Sequence, residues 1–256
     1  IEATGKQHLY VTNFSTSLWK YGTNYLWSPA DKPGELKNIA TTTDTGRCGF
    51  AWGAKFFDPD HDGNLDLFVA SGMRTGKDPA WYLVTIFRMV PRFLDKDFVL
   101  AGFPPDPDFG AHTRNCFFWK KDGKYVDIAD QIGLGHDVDS HTVALIDPDN
   151  SGRQIILVGT FNGLIRAYRP VIKENNNWLG IELVGTAGSR DPLGAKVSLL
   201  NLKAPEKVHY PSNGVAVQHD PREVFGLGKF AGPVDVAVEW PSGARQVVRD
   251  LKPNTY

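Results

Sequence analysis

The sequence predicts an all-β protein: short repeated sheets followed by a small separate β domain. Three observations carry that reading. Short apolar runs are bounded by Gly, Pro, Asn and Asp; most of the chain lacks a sustained helical period; and one Asp-rich loop recurs together with its flanking strands. With 26 Gly, 17 Pro and 12% aromatic residues the composition suits strands and tight turns. The 256 residues suffice for one large or two modest domains. A net charge of -1, from 28 basic and 29 acidic residues, speaks against a nucleic-acid binder driven by phosphate contacts. No apolar run is long enough to cross a bilayer as a helix.

The most informative stretch is Asp58-Pro59-Asp60-His61-Asp62-Gly63-Asn64-Leu65-Asp66, which leads into the apolar run Leu67-Phe68-Val69-Ala70. Its carboxylates repel one another, and a hard cation removes that cost. Calcium takes six to eight oxygen ligands. A loop with acids at positions 1, 3, 5 and 9 and a backbone carbonyl at 7 can supply them, so the candidate ligands are Asp58, Asp60, Asp62, the Asn64 carbonyl and Asp66. Gly63 stands at position 6, where such a loop turns sharply. An EF-hand is excluded, because Val69 occupies the place of its twelfth-position Glu and the flanks read as strands.

The loop has two echoes. Asp147-Pro148-Asp149-Asn150-Ser151-Gly152-Arg153-Gln154-Ile155 keeps acids at positions 1 and 3, a hydroxyl at 5 and Gly at 6, and then enters an apolar run. Glu2-Ala3-Thr4-Gly5 keeps only the glycine, an acid and a hydroxyl before Leu9-Tyr10-Val11. The three glycines are unevenly spaced, and an insertion of about thirty residues, placed at about 73–114, reconciles the intervals. A second element repeats as well: Asn24-Tyr25-Leu26-Trp27 with Gly34 to Ala40 corresponds to Asn115-Cys116-Phe117-Phe118-Trp119 with Gly123 to Ala129. Each unit offers four short strands, as a β-propeller blade requires.

Residues 53–67 resemble the FG-GAP or VCBS repeat, the calcium-loop blade also found in integrin α-subunit propellers. The resemblance implies a partial β-propeller of about three blades over residues 1–172, with calcium held by Asp58, Asp60, Asp62, Asn64 and Asp66. A weaker second site falls on Asp147, Asp149, Ser151 and Arg153, because Ile155 stands where the last carboxylate belongs. No metal is assigned to the first copy. Calcium as cofactor points outside the cytosol, to a secreted, periplasmic or cell-surface protein. Cys48 and Cys116 are either one disulfide or two buried small apolar residues. Asn13-Phe14-Ser15 is a glycosylation sequon.

Within the insertion, Asp78-Pro79 starts a predicted helix that Pro91 ends or kinks. Its large apolar side chains cover their own propeller or dock a partner chain through residues 79–110. Phe103 to Asp108 is too proline-rich for regular structure. After the polar break Asn175-Asn176-Asn177 a β-sandwich-like domain is expected over residues 173–256. There Val234, Val236, Val238 and Trp240 alternate with Asp235, Ala237 and Glu239 as in a half-buried strand. The run from Asn177-Trp178-Leu179 through Gly185-Thr186, Ser189-Arg190-Asp191, Gly194 to Val197 and Phe225 to Gly228, ending at Trp240-Pro241-Ser242-Gly243, resembles the ASPIC/UnbV module. That module follows VCBS propellers in bacterial secreted proteins and cartilage acidic protein. Arg190 and Asp191 are expected in a salt-bridged turn.

Fewer blades than a closed propeller needs lead to the expectation that the chain belongs to a longer polypeptide, or that another chain completes the ring. No serine elbow, phosphate loop or paired-cysteine motif occurs. His112, His136 and His141 match no ligand spacing, so they are expected in loops or core. The resemblances imply a calcium-binding scaffold or binding module serving protein–protein interaction or cell adhesion. The alternative is a metal-dependent carbohydrate lyase resembling the fungal aldos-2-ulose dehydratases, with a carbohydrate ligand.

Overall fold

The computed structural model describes residues 7–13, 23–77, 113–161, 163–186, 188–212 and 214–256. Outside the described residues lie the predicted helix from Asp78, the Phe103 to Asp108 stretch, the docking segment 79–110 and His112. So do Glu2 to Gly5 of the first loop and Phe14-Ser15 of the sequon.

The described chain is all-β, with sixteen strands in five antiparallel sheets. Three sheets are meanders, each taking its strands in chain order. The first joins β1 (Leu9–Val11), β2 (Tyr25–Pro29) and β3 (Leu36–Asn38). The second joins β4 (Ala51–Phe57), β5 (Asp66–Ser71), β6 (Cys116–Lys121) and β7 (Lys124–Asp127). The third joins β8 (Ser140–Ile146), β9 (Ile155–Thr160) and β10 (Arg166–Tyr168). Among the described residues these sheets do not close into a ring.

The repeat read from the sequence holds at the level of single hydrogen bonds. Asn24 and Asn115 are both fully buried at the start of equivalent strands. Each side-chain oxygen accepts a backbone N–H at or just past the end of the strand before it, Asn13 at 2.7 Å and Ser71 at 3.0 Å. Further on, Asn38 Oδ1 accepts from the N–H groups of Leu26 and Ala40, and Asp127 Oδ1 accepts from those of Phe117 and Ala129. Buried backbone donors need partners wherever a meander turns. These polar side chains supply them at the same points of two repeats.

Strand β5 shows how the sheets stack. All six of its residues are buried, and its two faces enter different cores. Leu67 and Val69 pack with Cys48, Ala51, Cys116 and Phe118, and with Tyr10 of the first sheet. Phe68 and Ala70 pack with Val143, Leu145, Ile156 and Val158 of the third sheet. A strand apolar on both faces is stable only between two neighbours. The middle sheet has one on each side.

Two further sheets form the C-terminal part. One pairs β11 (Asn177–Ile181) with β14 (Glu223–Gly228). The other has the order β13 (Lys207–Val208), β12 (Lys196–Leu199), β15 (Val234–Glu239), β16 (Arg245–Leu251). Val234, Val236 and Val238 face a shared core with Leu179, Val197 and Phe225, and Trp240 packs against it. That is the side the alternation predicts.

Cys48 and Cys116 form a disulfide within the second core, closing a separation of 68 residues. Loop closure of that length constrains the unfolded chain by about 4 kcal/mol. Replacing both cysteines by Ala should therefore lower unfolding stability in urea by about 2–4 kcal/mol. Unchanged stability would show that the bridge does not form.

Candidate metal centre

The hairpin between β4 and β5 builds the acidic site. Phe57 pairs with Asp66, so residues 58–65 form the connecting loop. Asp58 and Asp66 are 8% and 2% exposed, whereas Asp60 is half-buried and Asp62 exposed. The Asp58 carboxylate accepts the N–H groups of Asp62 at 3.1 Å and Gly63 at 2.9 Å. Asp60 Oδ1 also accepts the Asp62 N–H, at 3.3 Å. Asp62 accepts both the backbone N–H of Asn64, at 2.7 Å, and its side-chain amide, at 2.9 Å. Gly63 takes φ +89°, the left-handed conformation the sharp turn requires.

Folding of the loop brings one carboxylate oxygen each from Asp58, Asp60 and Asp62 within 4.8 Å of one another. Asp66 stands beside this group. One of its oxygens accepts the Lys120 N–H at 2.7 Å, and it feels the charges of Asp60, Asp58 and Asp62. Burial, reinforced by the neighbouring carboxylates, pushes Asp58 and Asp66 up to about 8 and raises Asp60. An all-oxygen donor set of crowded carboxylates is the chemistry of a hard divalent cation. Among the described residues, no other group of three His, Cys, Asp or Glu side chains converges in this way.

The loop between β8 and β9 has the same backbone and a different electrostatic solution. Asp147, 2% exposed, accepts the N–H groups of Ser151 at 3.1 Å and Gly152 at 2.7 Å, as Asp58 does in the first loop. Asn150 takes φ +56° where His61 takes +57°. Ile155 pairs with Ile146 at the position of Asp66, so the fourth carboxylate is absent. The Tyr256 hydroxyl donates to Asp147 at 2.6 Å. Arg222 donates to the Asp147 carbonyl at 2.8 Å and to the Asn150 side chain, and Arg169 donates to Asp149 at 2.8 Å. Hydrogen bonds from Ser151 and Arg169 hold the Asp149 carboxyl well below the usual range. The Arg153 N–H reaches only the Ser151 hydroxyl, at 3.4 Å. Protein cations and hydroxyls thus already serve the acids of this loop.

Both loops abut the C-terminal part. His61 Nε2 lies 2.9 Å from the Gly152 carbonyl and so ties the loops together. Gly228 donates to the His61 carbonyl at 2.8 Å, and the Asn176 side chain donates to the Asp60 carbonyl at 2.8 Å. The Trp178 ring lies 5.0 Å from Tyr256, whose other neighbour is the Arg222 guanidinium at 4.2 Å. A Cβ on Gly226 would collide with the Asp58 carboxylate and with the His61 backbone at 2.6 Å, and one on Gly152 would enter the Trp178 ring.

Residues 185–256 match the family model described as ASPIC and UnbV. No curated protein matches the chain. The matched ASPIC/UnbV segment contains Arg222, Gly226 and Tyr256, so its contribution to the two loops comes from β14, the residues before it and its last residue. Trp178 lies on β11, ahead of the match.

The remaining candidates do not gather. His141 stacks on Trp52 at 4.3 Å and faces Phe161 at 5.1 Å, with burial lowering its pKa. His136 instead lies against Tyr168. Asp191 lies 2.8 Å from His209 Nε2, so its partner comes from a distant segment and not from its own turn. Sequence reasoning passed over His61, Trp178, Arg222 and Tyr256. None carries a local signal, since each acts across the junction between distant segments.

Two expectations follow for the protein in divalent-free buffer. Asp58 and Asp66 have folded pKa values above their unfolded ones, so their stabilisation is full below about pH 4 and is lost as pH rises through about 8. The melting temperature should fall across that window, and Asp66→Asn should flatten the slope; an equal slope in the variant would refute the assignment. Gly226→Ala should cost about 2 kcal/mol or more in urea unfolding, through overpacking at Asp58.

Proposed function

We propose that this chain is a calcium-stabilised β-propeller scaffold or binding module that works outside the cytosol and displays its surface to another protein. The observation that carries this reading is the convergence of Asp58, Asp60 and Asp62 beside the buried Asp66. Asp58, Asp60, Asp62 and Asp66 would hold the ion through carboxylates, and Asn64 through its backbone carbonyl. The ion would supply compensating charge and a fixed geometry for the turn. The β8–β9 loop is left without calcium, since Tyr256 already donates to the Asp147 carboxylate and Arg169 to that of Asp149.

The propeller reading rests on the meander sheets, the repeated Asn24/Asn115 and Asn38/Asp127 hydrogen bonds, and a middle sheet buried on both faces. The Cys48–Cys116 bridge supports an oxidising compartment. A partner chain, or further blades, would cover the remaining sheet faces. The lyase alternative gains no comparable support: a catalytic metal at the junction of the two parts would need a second convergent ligand group, and none occurs among the described residues.

Calcium titration tests the reading. With a dissociation constant near 10⁻⁴ M, millimolar calcium stabilises the fold by about 1.4 kcal/mol, which raises the melting temperature by roughly 3–5 °C. Asp58→Asn together with Asp62→Asn should abolish the rise. A rise that persists in this double variant would place the ion elsewhere, and no rise in the parent protein would remove the calcium reading.

A further inference from the structure

His209, directly after β13, is almost fully enclosed at 1% exposed. Both of its ring nitrogens meet carboxylates: Nε2 lies 2.8 Å from Asp191 and Nδ1 lies 3.2 Å from Glu223. The two acids come from different elements, Asp191 from the turn between β11 and β12 and Glu223 from the start of β14. Glu223 in turn faces Lys207 of β13 and Lys55 of β4. The backbone of His209 is held as well, its N–H donating to the Ala195 carbonyl at 2.7 Å and its carbonyl accepting from Gly194 at 2.9 Å.

A neutral imidazole carries one N–H and one bare nitrogen. Set between two carboxylates it donates to one, and its lone pair faces the oxygens of the other. The imidazolium donates to both, through charge-assisted bonds. Glu223, supported by Asp191, accordingly holds the His209 pKa above the ordinary histidine value despite burial. The two acids are unequally placed, the Glu223 side chain being 18% exposed and that of Asp191 51%. When the ring loses a proton, the enclosed Glu223 keeps the remaining N–H and Asp191 turns to water, where its charge is solvated. The turn that carries Asp191 also contributes Gly185, Thr186, Ser189 and Leu193 to one wall of a cavity of about 1110 Å³, whose further lining comes from β11, β15 and β16.

We propose that His209 is a pH-sensitive clasp: as an imidazolium it fastens the β11–β12 turn to β14, and on deprotonation it releases Asp191 and loosens that wall of the cavity. The sign follows from the raised folded value. The clasp is fully closed below the unfolded histidine value of about 6.5 and opens as pH rises through the folded one. The inference is independent of the calcium reading, because neither His209 nor either of its carboxylates is among the proposed ligands.

Local probes test it, because Asp58 and Asp66 titrate over a similar range and dominate the global melting curve. Ring nitrogen NMR of His209 should show both nitrogens protonated at neutral pH, with a midpoint above about 6.5. Through the same titration the amide protection factors of Gly185 and Leu193, whose N–H groups donate within the turn to Arg190 and Asp191, should fall at least about threefold. Asp191→Asn, at a half-exposed side chain where folding is not at risk, supplies an amide that can donate or accept and so serves either state of the ring. In that variant the midpoint should drop and the protection should no longer depend on pH. A midpoint at or below the ordinary value overturns the proposal. So does protection that stays constant through the His209 titration, or a pH dependence that persists undiminished in Asp191→Asn.

Discussion

A buried carboxylate has to be compensated, and the architecture of this protein turns on meeting that requirement twice. Asp58 and Asp147 stand at equivalent points of two hairpins, each almost fully enclosed and each receiving two backbone N–H groups from its own turn. Two amide donors do not neutralise a charge removed from water. At Asp147 a further donor comes from the protein: the Tyr256 hydroxyl bonds the carboxylate at 2.6 Å, and Arg222 bonds the backbone carbonyl of the same residue. At Asp58 the neighbours make matters worse, because Asp62 and Asp60 add charge of the same sign. The same backbone turn therefore has its acids served by the protein's own donors in one repeat and crowded by like charges in the other. The replacement of Asp66 by Ile155 is the sequence mark of that difference.

The C-terminal part is fitted around these loops. Gly226 lets β14 approach Asp58 and His61 more closely than any side chain would permit, and Gly152 admits the Trp178 ring. Small residues at such contacts fix the distance between elements, because closely packed interfaces have no room to absorb an added methyl group. The ordering of the acidic turn and the seating of the C-terminal sheets are thus one packing problem. Loss of geometry on either side would be felt on the other.

Much of this was legible in the sequence. The alternation in Val234 to Trp240, the apolar run within β5 and the repeated Asn-initiated strands all register local periodicity, and the structure follows them. The acidic loop was legible too, since its four Asp residues lie within nine consecutive positions. Whether the sheets belong to a ring was not, because the sequence of one repeat specifies its own hydrogen bonds and says little about how many neighbours surround it. The compensation of Asp147 was also hidden. Arg222 and Tyr256 are distant in the chain and reach the loop only through tertiary packing. For Asp191 the sequence suggested a local salt bridge, whereas the partner, His209, comes from beyond β12.

Lys207 joins the acidic turn to the C-terminal part. Its ammonium is attracted by Glu223 of β14 and by Asp58 of the turn, in surroundings where water screens little. It donates to the Val224 carbonyl and lies over the Phe225 ring at 5.1 Å, so the charge is fixed in place. A single charge shared between two neighbours cannot serve both in full, and burial with the nearby carboxylates still raises the Asp58 pKa. The packing that seats β14 against the turn is therefore an electrostatic contact as well as a steric one.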